Sequence, residues 1–196
     1  MDSTSAASKL PPAMTAAEFL DWHPPGAGDH RELVDGTPRA IAPALPIYGA
    51  IQSEANRLIG NHLAAGRPEC RTVVEPGVRP RVRADHNIRV PDLGVTCAPW
   101  RNNDRLLLAP LVLVEILSPS NKNDTWANVW AYVSIPSVQE ILVLYTAEIR
   151  ADLLRRQADG LWPDNPRLIA AGGEVVLESI GFAAPLVAFY RTSGLV

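Results

Sequence analysis

Two acidic residues interrupt two otherwise apolar segments of this 196-residue chain. Asp92 follows Val90-Pro91, and Glu115 stands in the middle of Leu113-Val-Glu-Ile-Leu117. Burying an ionised carboxylate in an aliphatic strand is unfavourable unless another group compensates for its charge. Two such groups side by side also repel each other and raise each other's pKa. A divalent cation removes the conflict, because Mg²⁺ and Mn²⁺ take carboxylate oxygens and water as ligands.

Arginine offers a different partner for these carboxylates. Arg81, Arg83 and Arg89 stand close to Asp92 in the sequence, and a carboxylate that pairs with a guanidinium needs no metal. From the spacing alone, a metal site and a buried ion pair are equally good interpretations.

Whether the two carboxylates meet depends on the strands that carry them. Three segments have strand character: residues 72–82, 88–97 and 111–117. The last is a nearly continuous aliphatic run, which is typical of a central strand. If the second and third segments pair as a hairpin around residues 100–110, Asp92 and Glu115 become neighbours across it.

Turn and cap signals outline the other elements. Thr15-Ala-Ala-Glu18 is a capping-box pattern that starts a short helix, which Pro24 to Gly28 ends, and Asp35-Gly36 predicts a β-hairpin over residues 31–42. Further predicted elements are a helix over 47–65, a helix capped by Asp124 over 124–132, a strand over 139–146, short strands within 148–157, 167–170 and 175–177, and a final helix over 185–190. The core order is helix, strand, strand, strand, helix, strand, which indicates an α/β fold with a mixed sheet.

The length and composition favour one globular domain. Residues 14–196 form it after a flexible tail over 1–13, with 47% hydrophobic and 20% charged residues. The net charge of −3 excludes a strong basic field over the whole molecule. Cys70 and Cys97 lie outside any CxxC pattern, so neither a zinc site nor a disulfide framework is expected, and a reducing compartment fits. The tail lacks a signal-peptide pattern, and the apolar run 106–117 is too short to span a bilayer, so we expect a cytoplasmic protein.

Three motifs in order carry a resemblance to a known family. Glu32-Leu-Val-Asp-Gly36, Arg89-Val-Pro-Asp-Leu93 and Val114-Glu-Ile-Leu-Ser-Pro-Ser120 are similar to those of the Uma-two family of bacterial restriction-endonuclease-like proteins. More broadly, the order of a helix, a strand with Pro91-Asp92, a hairpin and Glu115-Ile-Leu117 resembles the PD-(D/E)XK nuclease superfamily. The similarity runs from about residue 15 to 148 and implies a restriction-endonuclease-like core of four mixed strands flanked by helices.

The resemblance also implies roles for single residues. Asp92 and Glu115 would bind Mg²⁺ or Mn²⁺, and Glu32 would add a further carboxylate. The superfamily lysine would fall at Leu117, and members of the family place a lysine on the next helix instead, where this chain has Asn128. Asparagine can orient a water molecule but supplies no charge.

Two other departures bear on activity. Tyr48 replaces a histidine that the family often has at the start of its helix, and the nearest lysine, Lys122, is best explained as a solvated loop residue. An active protein would hydrolyse phosphodiester bonds by metal assistance, in DNA more readily than in RNA. The alternatives are an inactive binding or assembly module with the same fold, and a different metal-assisted hydrolase.

The remaining polar and aromatic residues favour structural roles. Arg79, Arg81 and Arg83 alternate as on the wet face of an edge strand, although a phosphate contact stays open. Trp126 and Trp130 are expected to cover the sheet, Ser118 and Ser120 to serve turns and caps, and Gln52 to be solvated. The C-terminal strands after Ile149 offer edges through which a homodimer could form.

Overall fold

The N-terminal elements form a small unit beside the main sheet. The structure is a computed structural model that describes residues 13–22, 30–41 and 45–196. Helix α1 (Ala16–Asp21) begins at the predicted Thr15–Glu18 capping box. Strands β1 (Arg31–Val34) and β2 (Thr37–Ala40) form the predicted hairpin, and its turn needs Gly36 because φ there is 81°. The predicted tail up to residue 12 and the helix end at Pro24 to Gly28 lie outside the described residues.

A long helix and six strands follow, and they give the predicted mixed α/β architecture. Helix α2 (Pro46–Gly66) begins with proline at its first position, where the missing N–H would have no partner. The strands of the main sheet are β3 (Arg71–Val74), β4 (Leu93–Thr96), β5 (Pro110–Leu117), β6 (Glu140–Tyr145), β7 (Arg150–Arg155) and β8 (Arg167–Ala170). Helix α3 (Lys122–Tyr132) connects β5 to β6. The core order of helix, three strands, helix and strand is therefore confirmed.

The sheet has the strand order β3-β4-β5-β6-β7-β8. Only β5 and β6 run parallel, as the α3 crossover between them requires. Both are buried along almost their whole length, which explains the continuous aliphatic runs in their sequences. The predicted hairpin of the second and third strand segments is confirmed as the antiparallel β4–β5 pair.

Helices cover the two faces of the sheet. Ile51, Ala55 and Ile59 of α2 pack on one face, together with the C-terminal residues that follow β8. Val129 and Tyr132 of α3 pack on the other face. The C-terminal segment contains β9 (Glu174–Leu177) and β10 (Phe182–Pro185), which pair with each other, and a 3₁₀ turn over Leu186–Tyr190. Strand β10 was not predicted, and the predicted final helix is this short turn.

Two predicted strands are much shorter than expected: the segment 72–82 is in the sheet only to Val74, and the segment 88–97 only over Leu93–Thr96. The segment 72–82 leaves the sheet after Val74, and Glu75 adopts φ 49° ahead of Pro76, Gly77 and Pro80. Proline cannot donate to a strand ladder, so only an isolated bridge between Val78 and Arg89 remains in this region. The predicted arginine stripe on an edge strand is therefore wrong.

The three arginines of that predicted stripe lie instead in a loop, which their contacts stabilise. Arg79 donates to Asp85 at 2.7 Å and to the carbonyl oxygen of Ala84, and Arg83 lies in the left-handed region at the start of a 3₁₀ turn. The side chain of Ser134, just after α3, accepts from the N–H groups of Arg81 and Val82. The Arg79 contacts close the loop, and the Ser134 contacts fasten it to the end of α3.

One disulfide is present that the sequence analysis did not foresee. Cys70 and Cys97 form a disulfide. The register of β3 and β4 explains it, because Arg71 pairs with Thr96 and the cysteines are the next residues outward on both strands. A disulfide between such cross-strand neighbours is not visible as a CxxC pattern.

Among the described residues, none of the helices combines the length and the apolar character needed to cross a membrane.

Candidate metal centre

The β4–β5 register places the two predicted carboxylates side by side. Leu93 is paired with Val114, so the next positions outward on the two strands are Asp92 and Glu115. Both side chains are almost fully buried, with 6% and 4% of their residue surface exposed, yet both line a cavity that opens to solvent. Asp92 and Glu115 are therefore adjacent, as expected.

Tyrosines and one peptide group hold these carboxylates. The Tyr48 hydroxyl donates to Oδ1 of Asp92, and the N–H of Ile116 donates to Oδ2 at 2.6 Å. The Tyr132 hydroxyl donates to Oε1 of Glu115 at 2.6 Å. Within the three described ranges, neither carboxylate forms an ion pair with an arginine. The arginine alternative is therefore not realised at Asp92 or Glu115.

Burial and mutual repulsion make the pair bind protons tightly. Burial raises the pKa of Asp92 from its ordinary 3.8 to about 6, although the hydrogen bonds from Tyr48 and Ile116 oppose the rise. Burial, and then the charge of Asp92, raise the pKa of Glu115 well above its ordinary value. The metal-free pair therefore carries less than its full charge of −2.

Glu32 lies on β1 and has a different environment. The Asn128 amide donates to its Oε2 at 3.3 Å, and Nη1 of Arg89 lies 3.8 Å from its Oε1. The same Nη1 donates to Oδ1 of Asn128 at 3.0 Å. Burial raises the pKa of Glu32, and the nearby Arg89 charge lowers it by less. Arg89 thus pairs with the one predicted carboxylate that does not belong to the adjacent pair.

The three carboxylates do not form one tight cluster. Among the described residues, the oxygens of Glu32, Asp92 and Glu115 are not all within 4.8 Å of one another. Asp92 and Glu115 could hold a cation directly, with water at the other positions. Glu32 reaches the same cavity from the hairpin side, where it could accept a hydrogen bond from such a water.

The cavity around these groups has a volume of about 380 Å³. Its wall is formed by β1, β2, the starts of α2 and α3, and the segments beside β4. The lining residues are Glu32, Arg39, Ala40, Ile41, Tyr48, Glu75, Val90, Asp92, Glu115, Ser120, Asn121, Asp124, Thr125 and Asn128. Of these, within the described part of the chain, five are acidic and only Arg39 is basic. This excess of acidic residues favours the binding of a cation over the binding of an anion.

Some of the residues at this site were not foreseen from the sequence. Glu75 lines the cavity and pairs with His30 at 2.8 Å. Gln52, which we expected to be solvated, donates to the carbonyl oxygen of Asp92 at 3.0 Å and lies 3.4 Å from Glu75. Only the position of Gln52 beside the buried stripe of α2 hinted at its contact. Nothing in the sequence singled out Glu75.

Helix α3 begins earlier than predicted and carries several of the predicted residues. It starts at Lys122 after Asn121, so Asp124 lies in its first turn and is not its cap. Asn128 is buried in the wall, whereas Lys122 is exposed, as expected for a solvated residue. Trp126 packs partly on the sheet, but Trp130 is 47% exposed.

Ser118 and Ser120 do not cap α3. Their hydroxyl groups lie 2.9 Å apart and hydrogen bond to each other. Ser120 lines the cavity, so the expectation of turn and cap roles holds only for the turn.

Comparison with known proteins gives consistent matches. The model of the Uma2 family, described as "Putative restriction endonuclease", matches residues 16–183. An uncharacterised protein of Synechocystis sp. is 27% identical over 185 residues, which cover 92% of this chain and 93% of that protein. A crystal structure from Anabaena variabilis, described as "a putative nuclease belonging to DUF820", aligns with a TM-score of 0.73 and 19% identity over 91% of this chain and 98% of the other. At that identity the structural match establishes a shared nuclease-like fold.

Proposed function

The chain belongs to the Uma2 family, and from this membership and the carboxylate pair we propose that it is a metal-dependent nuclease acting on DNA. The observation that carries the proposal is the Asp92–Glu115 pair. The two groups are buried, adjacent and free of any arginine partner among the described residues, and they open onto a cavity. Such an arrangement is unfavourable by itself and becomes favourable when a divalent cation binds.

The donor set fits a hard cation. Asp92 and Glu115 would hold Mg²⁺ or Mn²⁺ through carboxylate oxygens, and Glu32 would join through a water molecule. The bound ion would polarise the phosphodiester and lower the pKa of its water. Tyr48 and Tyr132 keep the carboxylates oriented through the hydrogen bonds that they donate. Burial raises the pKa of both tyrosines, so they remain donors at neutral pH.

Asn128 supports a second candidate, an inactive module with the nuclease fold. It occupies the position that the family resemblance gives to a lysine, and it is bonded to both Arg89 and Glu32. Asn128 supplies no positive charge, and its Nδ2 already donates to Glu32, so it does not replace the lysine as a cationic partner of the phosphate. The two candidates agree on the cation site and differ on turnover.

Calorimetric titration with Mn²⁺ tests the cation site. We expect the wild type to bind one or more ions and the Asp92→Asn and Glu115→Gln variants to lose that binding while remaining folded. The matched control is Glu148→Gln, which removes an exposed carboxylate far from the cavity in sequence and should bind like the wild type. Wild-type protein that takes up no Mn²⁺ at pH 7.5 would overturn the proposal.

Cleavage assays then separate the two candidates. Supercoiled plasmid DNA and single-stranded RNA are incubated with the wild type in Mg²⁺ or Mn²⁺, and with Asp92→Asn in parallel. Cleavage of DNA that disappears in Asp92→Asn supports the nuclease. Ion binding without cleavage of either nucleic acid supports the inactive module.

The remaining expectations stay predictions. A homodimer would be recognised by its mass in solution. The Cys70–Cys97 disulfide does not favour a cytoplasmic location, since reducing compartments keep cysteines as free thiols. Counting free thiols in freshly purified protein would decide between the two states of the cysteines.

A further inference from the structure

Helix α3 begins at the cavity with peptide groups that lack acceptors. The side chain of Asn121, the residue before the helix, does not cap it. Its Oδ1 accepts from the N–H of Ser118 at 2.7 Å, and its Nδ2 donates back to the carbonyl oxygen of Ile116 at 3.4 Å. The first bond of the helix runs from the N–H of Thr125 to the carbonyl oxygen of Asn121. Within the described residues, the N–H groups of positions 122–124 therefore have no acceptor.

Thr125 adds an unpartnered hydroxyl group at the same place. Its residue surface is only 3% exposed and it lines the cavity, yet its hydroxyl makes no hydrogen bond to any described residue. A threonine in a helix usually bonds to a carbonyl oxygen of the preceding turn, whereas the Thr125 hydroxyl oxygen stays open to the cavity. The hydroxyl is thus available to a ligand in the cavity. Among the described residues, the hydroxyl of Ser120, also in the wall, bonds only to Ser118.

These donors suit an anion, but the acidic cavity opposes one. The start of a helix carries a partial positive charge and exposed N–H groups, which together bind phosphate well. Asp92 and Glu115 lie in the same cavity, and their charge repels an anion until a cation neutralises them. Arg39, the basic residue of the described wall, lies 3.6 Å from Asp124 and is half exposed. It can turn from Asp124 towards an incoming phosphate.

We propose that the start of α3 and the Thr125 hydroxyl bind a phosphate group of the substrate beside the cation held by Asp92 and Glu115. The donors are the N–H groups of residues 122–124 and the hydroxyl of Thr125, with Ser120 and Arg39 at the edge. This inference rests on the proposed function for the identity of the substrate. It also gives the phosphate a neutral set of donors on the helix that lacks the family's lysine at Asn128.

Amide NMR spectra of the ¹⁵N-labelled full chain test the site. The protein is loaded with Ca²⁺ and titrated with the dinucleotide dTpdT, its uncharged methylphosphonate analogue, and inorganic phosphate. We expect dTpdT to shift the amide signals of residues 122–125, and the methylphosphonate to leave them unchanged. Inorganic phosphate that shifts these signals while dTpdT does not would overturn the assignment to a phosphodiester.

Variants in α3 define the donors. Thr125→Val keeps the shape and removes the hydroxyl, and it should weaken dTpdT binding about fivefold, the usual effect of one hydrogen bond. Thr125→Ser should restore the affinity. Asp124→Asn should tighten binding because it removes a negative charge from the first turn, and Thr37→Val on β2 is the matched control without effect. A folded Thr125→Val protein with wild-type affinity would contradict the role of this hydroxyl.

The experiment separates failure of this site from failure of the cation site. Ca²⁺ binding that depends on Asp92, together with amides of 122–125 that respond to no phosphate compound, would overturn the phosphate site alone. A chain that binds no Ca²⁺ but shows the dTpdT response in EDTA would leave the α3 donors as an anion site, and it would contradict both the placement of the phosphate beside a cation and the metal-dependent nuclease.

Discussion

Two buried glutamates on neighbouring strands have opposite electrostatic environments in this fold. Glu140 on β6 is 1% exposed, and the guanidinium of Arg155 donates to it at 2.7 Å. The N–H groups of Glu178 and Ser179 donate to it as well, each at 3.0 Å. Glu115 on the adjacent strand β5 is 4% exposed and receives one hydroxyl, from Tyr132, beside a second carboxyl group.

The difference shows how to tell a structural acid from a ligand-binding one. The charge of Glu140 is compensated within the protein, and its partners tie the C-terminal segment to the sheet. The charge of Glu115 has no cation among the described residues and borders a cavity. Burial of a carboxylate therefore does not by itself identify a ligand-binding site. A buried carboxylate that lacks a cationic partner and borders a cavity does.

The largest expected effect comes from removing the counter-charge of Glu140. Arg155→Met should leave that glutamate buried without a cation and lower the free energy of unfolding by about 3 kcal/mol. Urea unfolding at pH 7 measures the loss. Arg79→Met, in an exposed loop pair, is the control and should change stability by less than about 1 kcal/mol. Equal losses in the two variants would remove the distinction between the two glutamates.

The second effect concerns the pH dependence that the uncompensated pair should produce. The pKa of Asp92 is raised to about 6 in the folded chain, so the folded state holds this proton more tightly than the unfolded state. Its contribution to the free energy of unfolding is complete below about pH 4 and is lost as the pH rises through about 6. A shift of this size corresponds to about 3 kcal/mol at most, and Glu115 extends the loss to higher pH.

Unfolding in EDTA between pH 4 and pH 8 measures this effect. We expect Asp92→Asn to gain stability relative to the wild type as the pH rises, since asparagine has no proton to lose. A constant difference between the two proteins over this range would mean that the pair is compensated in solution.

The smallest effect comes from a single donor to the pair. Tyr48→Phe removes the hydroxyl bonded to Asp92, which should raise the pKa of Asp92 further and weaken Mn²⁺ binding about fivefold at pH 7. Tyr145→Phe is the matched control, because Tyr145 donates to Asp152 elsewhere in the sheet. Calorimetry on the two variants gives the comparison. Unchanged affinity in Tyr48→Phe would show that Ile116 alone positions Asp92.

Much of the fold and part of the site could be predicted from the sequence. Three local patterns predicted elements that the structure contains: the aliphatic run of β5, the capping box of α1 and the Asp35-Gly36 turn. The proximity of Asp92 and Glu115 could be predicted from a single hairpin, the pairing of the segments that form β4 and β5. The metal and the roles of all four predicted site residues, Glu32, Asp92, Glu115 and Asn128, remain proposals.

The features that sequence analysis missed depend on long-range geometry. The disulfide results from the register of β3 and β4, and Glu75 reaches the cavity because the backbone turns after Val74. The partner of Arg89 is Glu32, which lies 57 positions earlier in the chain, and not the nearby Asp92. No local pattern specifies which of several acids an arginine will meet once the chain has folded.

The β1–β2 hairpin, which carries Glu32, is attached separately from the sheet at which Asp92 and Glu115 lie. The small core of Ala16, Leu33 and Ile88 is separate from the cores on the two faces of the sheet. The hairpin is tied on by the Leu33–Ile88 backbone pair, the Gly36–His86 bond, the bonds between Asp35 and Asn87, and the contacts of Glu32 with Asn128 and Arg89. Units with few buried contacts open by subglobal unfolding more readily than central strands. Glu32 can therefore depart with its hairpin in a local opening, whereas Asp92 and Glu115 stay in place until the sheet itself unfolds.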